Sequence, residues 1–256
     1  MGKPEHFARH YYQQGADELF YMDAVASLYG RNSLVDIIER TAREVFIPLT
    51  VGGGLRSVDD IRAVLRAGAD KVAINTAAVQ RPELIREAAQ TFGSSTIVVS
   101  IEAIRHADGT YEAYTDYGRE RSGIDALQWA TRAVELGAGE LMITSIDREG
   151  TGRGFDIELT QRIAAAVSVP VIACGGAGRV EHLREVIDEG LANAVSLASI
   201  LHYNIVKHGD QLEVDFTEEG NTEFLRSGSG FSRIEDVALP KIKEELLRSG
   251  VNCRIT

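Results

Sequence analysis

Two segments of this chain, residues 15–79 and residues 137–201, repeat one another at a constant offset of 122. The matching pieces are 15–19 with 137–141, 47–51 with 169–173, and 53–54 with 175–176. Each copy combines short apolar runs with helical patterns. A long internal repeat of this kind is typical of a barrel built from two half-barrels.

The second copy is preceded by a clear strand pattern at 96–102, and the first copy has no counterpart of it. Subtracting the offset places that counterpart before Met1. We therefore expect a (β/α)8 barrel that lacks its first strand. An open barrel exposes strand edges, which proteins usually cover. The segment 211–216 or a neighbouring chain is the candidate cover.

Length and charge restrict the class of protein. The chain has 256 residues and 44% hydrophobic content, which suits one barrel domain over 1–256 with an insertion at about 204–233. The net charge of −11 argues against nucleic-acid and membrane partners. No apolar stretch has spanning length, so we expect a cytoplasmic protein. Two cysteines fit reduced thiols and give no metal pattern.

Apolar runs alternate with helical patterns along the chain, which predicts a parallel sheet surrounded by helices. Seven strands are expected, at 17–23, 47–51, 70–75, 96–102, 140–145, 169–173 and 193–198. Helices are expected at 33–45, after a cap at Ser57 with Asp60, and at 236–249. The segment 105–117 predicts a β-hairpin around Asp108-Gly109.

Glycine runs at 52–54 and 175–176 follow apolar strands directly, at symmetric positions of the repeat. Glycine lets backbone N–H groups approach an anion without a positive side chain. Two such turns predict a long substrate with a phosphate at each end. The alternative is that both are tight strand-to-helix turns that need glycine only for their dihedral angles.

Carboxylates are expected between these two turns, because Asp23, Glu102, Asp147 and Glu149 follow strands. Acids that share a pocket can divide into a general acid and a general base. The alternative for Asp147 and Glu149 is capping of their own loop. The spacing of Gly150, Gly152 and Gly154 does not match a dinucleotide fingerprint, and we expect no cofactor.

The chain resembles the cyclase subunit of imidazole glycerol phosphate synthase. The resemblance is carried by motifs spread over most of the chain, at 17–23, 50–54, 68–71, 74–77, 144–151, 175–178 and 250–254. It implies a (β/α)8 barrel enzyme of histidine biosynthesis. Such a subunit pairs with a glutaminase, receives ammonia through the barrel and cyclises a bisphosphorylated ribulosyl intermediate.

The resemblance also implies roles for individual residues. Glu102 stands where the family has a catalytic aspartate, and Glu149 stands where the family usually has another aspartate. The substrate and its two phosphates would meet Asp23, Gly54, Asn75, Thr76, Ser145, Glu149, Gly150, Gly176, Ala198 and Ser199. Glu18, Lys71 and Glu140 resemble a gate for ammonia at the amino-terminal face, and Asp70 resembles a glutaminase contact.

Three points about function remain open. The family's other catalytic aspartate ends the strand that we expect to be absent, so this chain keeps only one side of the acid–base pair. The chain also resembles second-copy family members associated with surface-polysaccharide (lipopolysaccharide) genes. Those are thought to pass ammonia to a sugar amidotransferase without cyclising a substrate. Finally, the charges of the gate could serve only to fill the bottom of the barrel.

Overall fold

The computed structural model of this protein describes residues 4–23, 35–208 and 233–254. In chain order it begins with helix α1 (Pro4–Gln13), strand β1 (Leu19–Met22), α2 (Val35–Ala42), β2 (Leu49–Gly52), α3 (Val58–Arg66), β3 (Lys71–Ile74), α4 (Thr76–Gln80) and α5 (Glu83–Phe92). It continues with β4 (Ile97–Arg105), β5 (Tyr111–Thr115), β6 (Glu120–Asp125), α6 (Ala126–Leu136), β7 (Glu140–Ser145), α7 (Ile157–Ala166), β8 (Val171–Cys174), α8 (Val180–Asp188), β9 (Ala194–Ser196), α9 (Ser199–His208) and α10 (Leu239–Arg248).

Seven strands pair in parallel, in the order β1-β2-β3-β4-β7-β8-β9. All seven expected strands are therefore confirmed, with ends that differ by a few residues. Strands β5 and β6 lie off this path as an antiparallel extension of β4. The first hairpin, between β4 and β5, confirms the prediction for 105–117, and β6 was not predicted.

The sheet is open between β1 and β9, because no pairing joins these two strands among the described residues. The helices bridge the opening instead. The Tyr11 hydroxyl of α1 bonds to Nδ1 of His202 in α9. At the amino-terminal end, Nζ of Lys243 in α10 donates to the carbonyl of Gly15 and, over 2.9 Å, to Oδ1 of Asp17. The predicted covering segment, 211–216, lies outside the described residues.

Apolar side chains separate into two layers. The larger core fills the space between the strands and the outer helices, where Ile61, Ile97 and Leu141 have no exposed surface. A smaller cluster of Ala73, Val98 and Met142 lies inside the curved sheet. Successive side chains of a strand point to opposite faces of the sheet, so they contribute alternately to the outer core and to the interior of the curved sheet.

Local signals fix several helix ends. The Ser57 hydroxyl accepts from the Asp60 backbone N–H, and Asp60 accepts from the Ser57 backbone, which confirms the predicted capping box of α3. Helix α6 ends at Gly137, which adopts a left-handed conformation with φ 113°. The cap at Ser57 starts its helix after β2, and the turn at Gly137 leads the chain into β7.

Candidate functional site

A cavity of about 1370 Å³ runs along the concave side of the sheet and extends at the opening between β1 and β9 to side chains of α1, α9 and α10. At the amino-terminal face it is lined by Glu18, and at the carboxyl ends of the strands it is lined by Glu102, Tyr117 and Ala198. In sheets of parallel strands flanked by helices, ligands bind at the carboxyl ends. The cavity therefore connects that face with the opposite end of the barrel.

The first glycine turn follows β2. Gly53 and Gly54 have φ of 102° and 70°, which favours glycine. A Cβ on Gly53 would lie 2.5 Å from the carbonyl oxygen of Asp23, so the turn also needs glycine because the end of β1 passes close to it. Asn75 and Thr76 follow β3, where the first N–H groups of α4 have no partner within the helix.

The second glycine turn follows β8 at the symmetric position. Gly175 and Gly176 have φ of 88° and 104°. The carbonyl of Gly176 accepts from the N–H of Gly154 over 2.8 Å, which joins this turn to the loop after β7. Ala198 and Ser199 follow β9 at the start of α9. In both turns, the positive φ angles and the nearby backbone are enough to explain why glycine is present. Phosphate binding by these turns therefore stays a prediction.

Glu102 lies on β4 between the two glycine turns and is half-buried. Its Oε2 atom is buried and has no hydrogen-bond partner among the described residues. Burial raises the pKa of Glu102, and hydrogen bonds from the backbone of Gly118 and from the side chain of Asn75 only partly oppose this effect. Asn75 donates from Nδ2 to the carbonyl of Tyr114 over 3.2 Å, while its Oδ1 is also buried without a partner.

Glu149 is the second carboxylate that lines the cavity. Its surroundings exclude water from the carboxylate and raise the pKa of Glu149. Asp147 instead accepts from the backbone N–H of Arg105 over 2.8 Å, so it stabilises the hairpin and does not line the cavity. This contact is with the hairpin, so it differs from the capping of its own loop that the sequence suggested as the alternative for Asp147.

Ser145 does not occupy the predicted position. Its side chain is buried on the helix side of β7, and its hydroxyl lies 3.4 Å from Oδ2 of Asp156. The neighbouring Thr144 lines the cavity instead. Successive residues of a strand face opposite sides, and the prediction chose the wrong side. Gly150 lies in the loop after β7 with φ 68°.

The three predicted gate residues meet at the amino-terminal end of the cavity. Nζ of Lys71 lies 2.8 Å from Oε2 of Glu18 and 2.8 Å from Oε1 of Glu140. Burial opposes the charged form of Lys71, but the hydrogen bonds to Glu140 and Glu18 outweigh it and raise the pKa of Lys71. Thr50 donates its hydroxyl to Glu18 from the adjacent strand.

Asp70 is exposed on the same face, next to Lys71. Its Oδ2 accepts from the backbone N–H of Leu49 over 2.8 Å. The side chain therefore has a structural role at the start of β2, and its predicted contact with a glutaminase stays a prediction.

Tyr117 and Ser100 also line the cavity, and the sequence did not indicate either of them as a site residue. Tyr117 lies in the turn between β5 and β6 and donates its hydroxyl to the carbonyl of Asp23. Ser100 is buried inside the sheet, and its hydroxyl has no partner among the described residues. Gly118 signals a turn next to Tyr117, but no local pattern indicates that this turn crosses the mouth of the cavity.

Two further absences hold for residues 4–23, 35–208 and 233–254. No group of three or more His, Cys, Asp or Glu side chains there could hold a metal ion. In the same ranges, no helix has the length and apolar character needed to cross a bilayer.

The fold and the site together define a parallel β/α barrel protein with its candidate site at the carboxyl ends of the strands. Residues 1–207 match the family model described as histidine biosynthesis protein. A HisF subunit of imidazole glycerol phosphate synthase from Legionella pneumophila is 57% identical over 181 residues, which cover 71% of this chain and 85% of that protein. A HisF subunit from Alkaliphilus metalliredigens (strain QYMF) is 49% identical over 205 residues, which cover 80% and 81%.

This chain belongs to the histidine biosynthesis protein family. Within that family, its similarity is to the cyclase (HisF) subunits of imidazole glycerol phosphate synthase. The function that these relatives support is that of a cyclase-type enzyme subunit in histidine biosynthesis.

Proposed function

We propose that this chain binds a bisphosphorylated ribulosyl intermediate across the mouth of its barrel and cyclises it with ammonia. One observation carries the proposal. Glu102 lines the cavity from β4, and its buried Oε2 has no partner among the described residues. The two symmetric glycine turns follow β2 and β8, on either side of β4 in the sheet. An unpaired buried acceptor is unfavourable unless a ligand brings a donor to it.

The two glycine turns supply the phosphate subsites. The first consists of Gly54, Asn75 and Thr76, and the second consists of Gly150, Gly176, Ala198 and Ser199. At a net charge of −11, the chain must hold each phosphate by local backbone N–H groups rather than by a general positive field. Two subsites on opposite sides of the mouth fix the length and direction of the substrate.

Glu102 is the proton-transfer group of this proposal. Its raised pKa brings the carboxyl group closer to neutral pH, where it can both accept and donate a proton. Glu149, which follows the neighbouring strand β7, adds a second carboxylate with a raised pKa, and its charge also raises the pKa of Glu102. Asp23 lies at the end of β1, next to the first phosphate subsite, and contacts the substrate there.

Ammonia would enter at the amino-terminal end. The ring of Glu18, Lys71 and Glu140 lies where the cavity meets that face, and a glutaminase bound there, near Asp70, would release ammonia into the barrel. The same ring would also serve the non-cyclising alternative. The buried oxygen of Glu102 at the opposite face, which has no partner among the described residues, favours the cyclase. A protein that only conducts ammonia does not need an unpaired acceptor there.

The first experiment tests the chemistry without a partner. The purified chain is supplied with an ammonium salt and the bisphosphate, and formation of the imidazole product is followed. Glu102→Gln should lower kcat on the order of 10²- to 10⁴-fold, the usual contribution of one positioned proton-transfer group. Glu135→Gln, on the exposed face of α6, is the control and should be unchanged. Binding of the bisphosphate without any product from the unsubstituted chain would exclude the cyclase.

The second experiment tests the gate. Lys71→Met removes the ammonium group between Glu18 and Glu140 and should reduce glutamine-dependent turnover with a HisH-type glutaminase. Turnover with an ammonium salt should change less, because external ammonia does not depend on release by the partner. Lys241→Met, an exposed substitution on α10, is the matched control. Equal losses with glutamine and with the ammonium salt would contradict a role in ammonia entry.

A further inference from the structure

A short turn between β5 and β6 has three successive residues in the left-handed region. Asp116, Tyr117 and Gly118 have φ of 50°, 58° and 71°. Arg119 donates its N–H to the carbonyl of Thr115 over 3.1 Å, which closes the turn. A left-handed residue with a side chain costs roughly 1–2 kcal/mol, so two in succession need contacts elsewhere that hold them.

The backbone of this turn contacts two parts of the candidate site. The N–H of Asp116 donates to Oγ1 of Thr76 over 3.1 Å, in the first phosphate subsite. The N–H of Gly118 donates to the carboxylate of Glu102. These two contacts fix the turn at the mouth of the cavity, and the side chain between them lines that cavity.

That side chain is Tyr117. It lines the cavity, and its hydroxyl donates to the carbonyl of Asp23 at the end of β1. Burial raises the pKa of Tyr117 to about 12, and the nearby carboxylates of Asp23 and Glu102 act in the same direction. The phenol is therefore a neutral donor at any physiological pH.

The polar atoms around Tyr117 are complementary to one kind of ligand. Oε2 of Glu102 and Oδ1 of Asn75 are buried acceptors without a donor among the described residues. The Tyr117 hydroxyl is a donor whose present acceptor is a main-chain carbonyl. A ligand that fits must therefore offer donors to the two acceptors and an acceptor to the phenol. A polyhydroxylated chain does both, because each hydroxyl group donates and accepts.

We propose that Tyr117 is a substrate-binding residue that donates a hydrogen bond to an oxygen in the middle of a polyhydroxylated bisphosphate. The inference rests on the proposed function and adds a contact between the two phosphate subsites. The hydroxyl exchanges the carbonyl of Asp23 for the substrate oxygen. The contact therefore contributes to binding of the sugar chain and adds nothing to binding of phosphate alone.

Tyr117→Phe tests this contact, because it removes only the hydroxyl group. Tyr12→Phe, a half-buried tyrosine of α1, is the matched control. The dissociation constants of the bisphosphate and of inorganic phosphate are measured by calorimetry, and kcat and KM are measured with an ammonium salt. Loss of one neutral hydrogen bond should weaken bisphosphate binding about 3- to 10-fold, and raise KM by a similar factor. Inorganic phosphate binding should match that of the unsubstituted chain, while the Tm should fall slightly because the bond to the carbonyl of Asp23 is lost.

Two results would overturn the proposal. One is bisphosphate affinity of the Tyr117→Phe chain within twofold of the original. The other is a joint loss of affinity for bisphosphate and inorganic phosphate with a lowered Tm, which would show that the hydroxyl only supports the turn. If the unsubstituted chain forms no imidazole product but Tyr117→Phe still weakens bisphosphate binding selectively, the proposed function fails and this inference stands.

Discussion

Glu102 is proposed to transfer protons, but its buried carboxylate also affects the stability of the fold. Burial raises its pKa above the ordinary 4.5, so the folded protein favours the neutral form more than the unfolded chain does. Its contribution to stability is greatest below pH 4.5 and is lost as the pH rises through the raised value. At neutral pH, the ionised carboxylate destabilises the fold.

This linkage predicts opposite effects of Glu102→Gln on stability and activity. The variant should unfold at a higher urea concentration than the unsubstituted chain at pH 7, and the difference should shrink as the pH approaches 4.5. Urea titrations at several pH values measure this. A variant that is less stable at pH 7 would show that the Glu102 carboxylate is well compensated and would contradict the assigned direction.

Ser100 gives a second prediction for a single residue. Its hydroxyl is buried inside the sheet without a partner among the described residues, and an unsatisfied polar group of this kind is unfavourable. Ser100→Ala should therefore raise the free energy of unfolding by about 1 kcal/mol. Ser122→Ala is the opposite control, because Ser122 donates to the carbonyl of Ala113 and accepts from the N–H of Ile124. It should lower stability by a similar amount.

Among the larger elements, the β5–β6 hairpin depends on one buried carboxylate. Glu112 is bound by Arg121, the N–H of Gly123 and His106. The hydrogen bond from Arg121 is the largest of these effects, and together they lower the pKa of Glu112 from 4.5 to about 2. Glu112 therefore stabilises the fold above pH 4.5, and this stabilisation is lost as the pH falls towards 2.

Replacing Glu112 by Gln should remove part of the acid sensitivity of the protein. The variant should be less stable than the unsubstituted chain at pH 7, and the two should converge between pH 4.5 and 2. Thermal unfolding across this range measures the effect. Because the hairpin also holds the turn with Tyr117, the variant should bind the bisphosphate more weakly at pH 7. A constant difference in Tm at all pH values would contradict the linkage.

Some helices and strands of this fold could be predicted from local sequence, and others could not. The seven parallel strands and the capping box at Ser57 could be predicted, because apolar runs and caps are local signals. Helix α1 was missed because its aromatic and histidine residues are weak helix formers and its burial depends on α9. Strand β6 was missed because it is polar and largely exposed, and only pairing with β5 makes it a strand.

The candidate site also contains features that local sequence predicts and features that depend on tertiary contacts. The glycine turns could be located because positive φ requires a particular residue type. Which of Thr144 and Ser145 faces the cavity depends on the side of the strand that the curved sheet turns inward, and a short apolar strand does not reveal it. Tyr117 reaches the cavity only through contacts between distant parts of the chain.

Across the part of the molecule that the structure describes, helices span the gap between β1 and β9, and the strands do not form a complete ring. The hydroxyl of Tyr11 on α1 bonds His202 on α9, and Lys243 on α10 binds the segment before β1. Strands β1 and β9 keep one side without a pairing partner among the described residues. Within the described residues, the sheet therefore runs continuously through seven parallel strands, with β1 and β9 as its edge strands.

The open side of β1 should be visible as an alternating pattern of amide hydrogen exchange. The N–H groups of Leu19 and Asp23 bond to β2, so the N–H groups of Phe20 and Met22 point to the opening. The latter two should exchange much faster than Leu19, while the amides of β4, which lies between two strands, should exchange most slowly. Mass spectrometry or NMR at residue resolution measures these rates. Equal protection of Phe20 and Leu19 would mean that another segment pairs with β1 in solution. The alternating pattern would show that the free edge of β1 forms part of the wall of the cavity, which extends past it to Phe7 of α1 and Leu201 of α9.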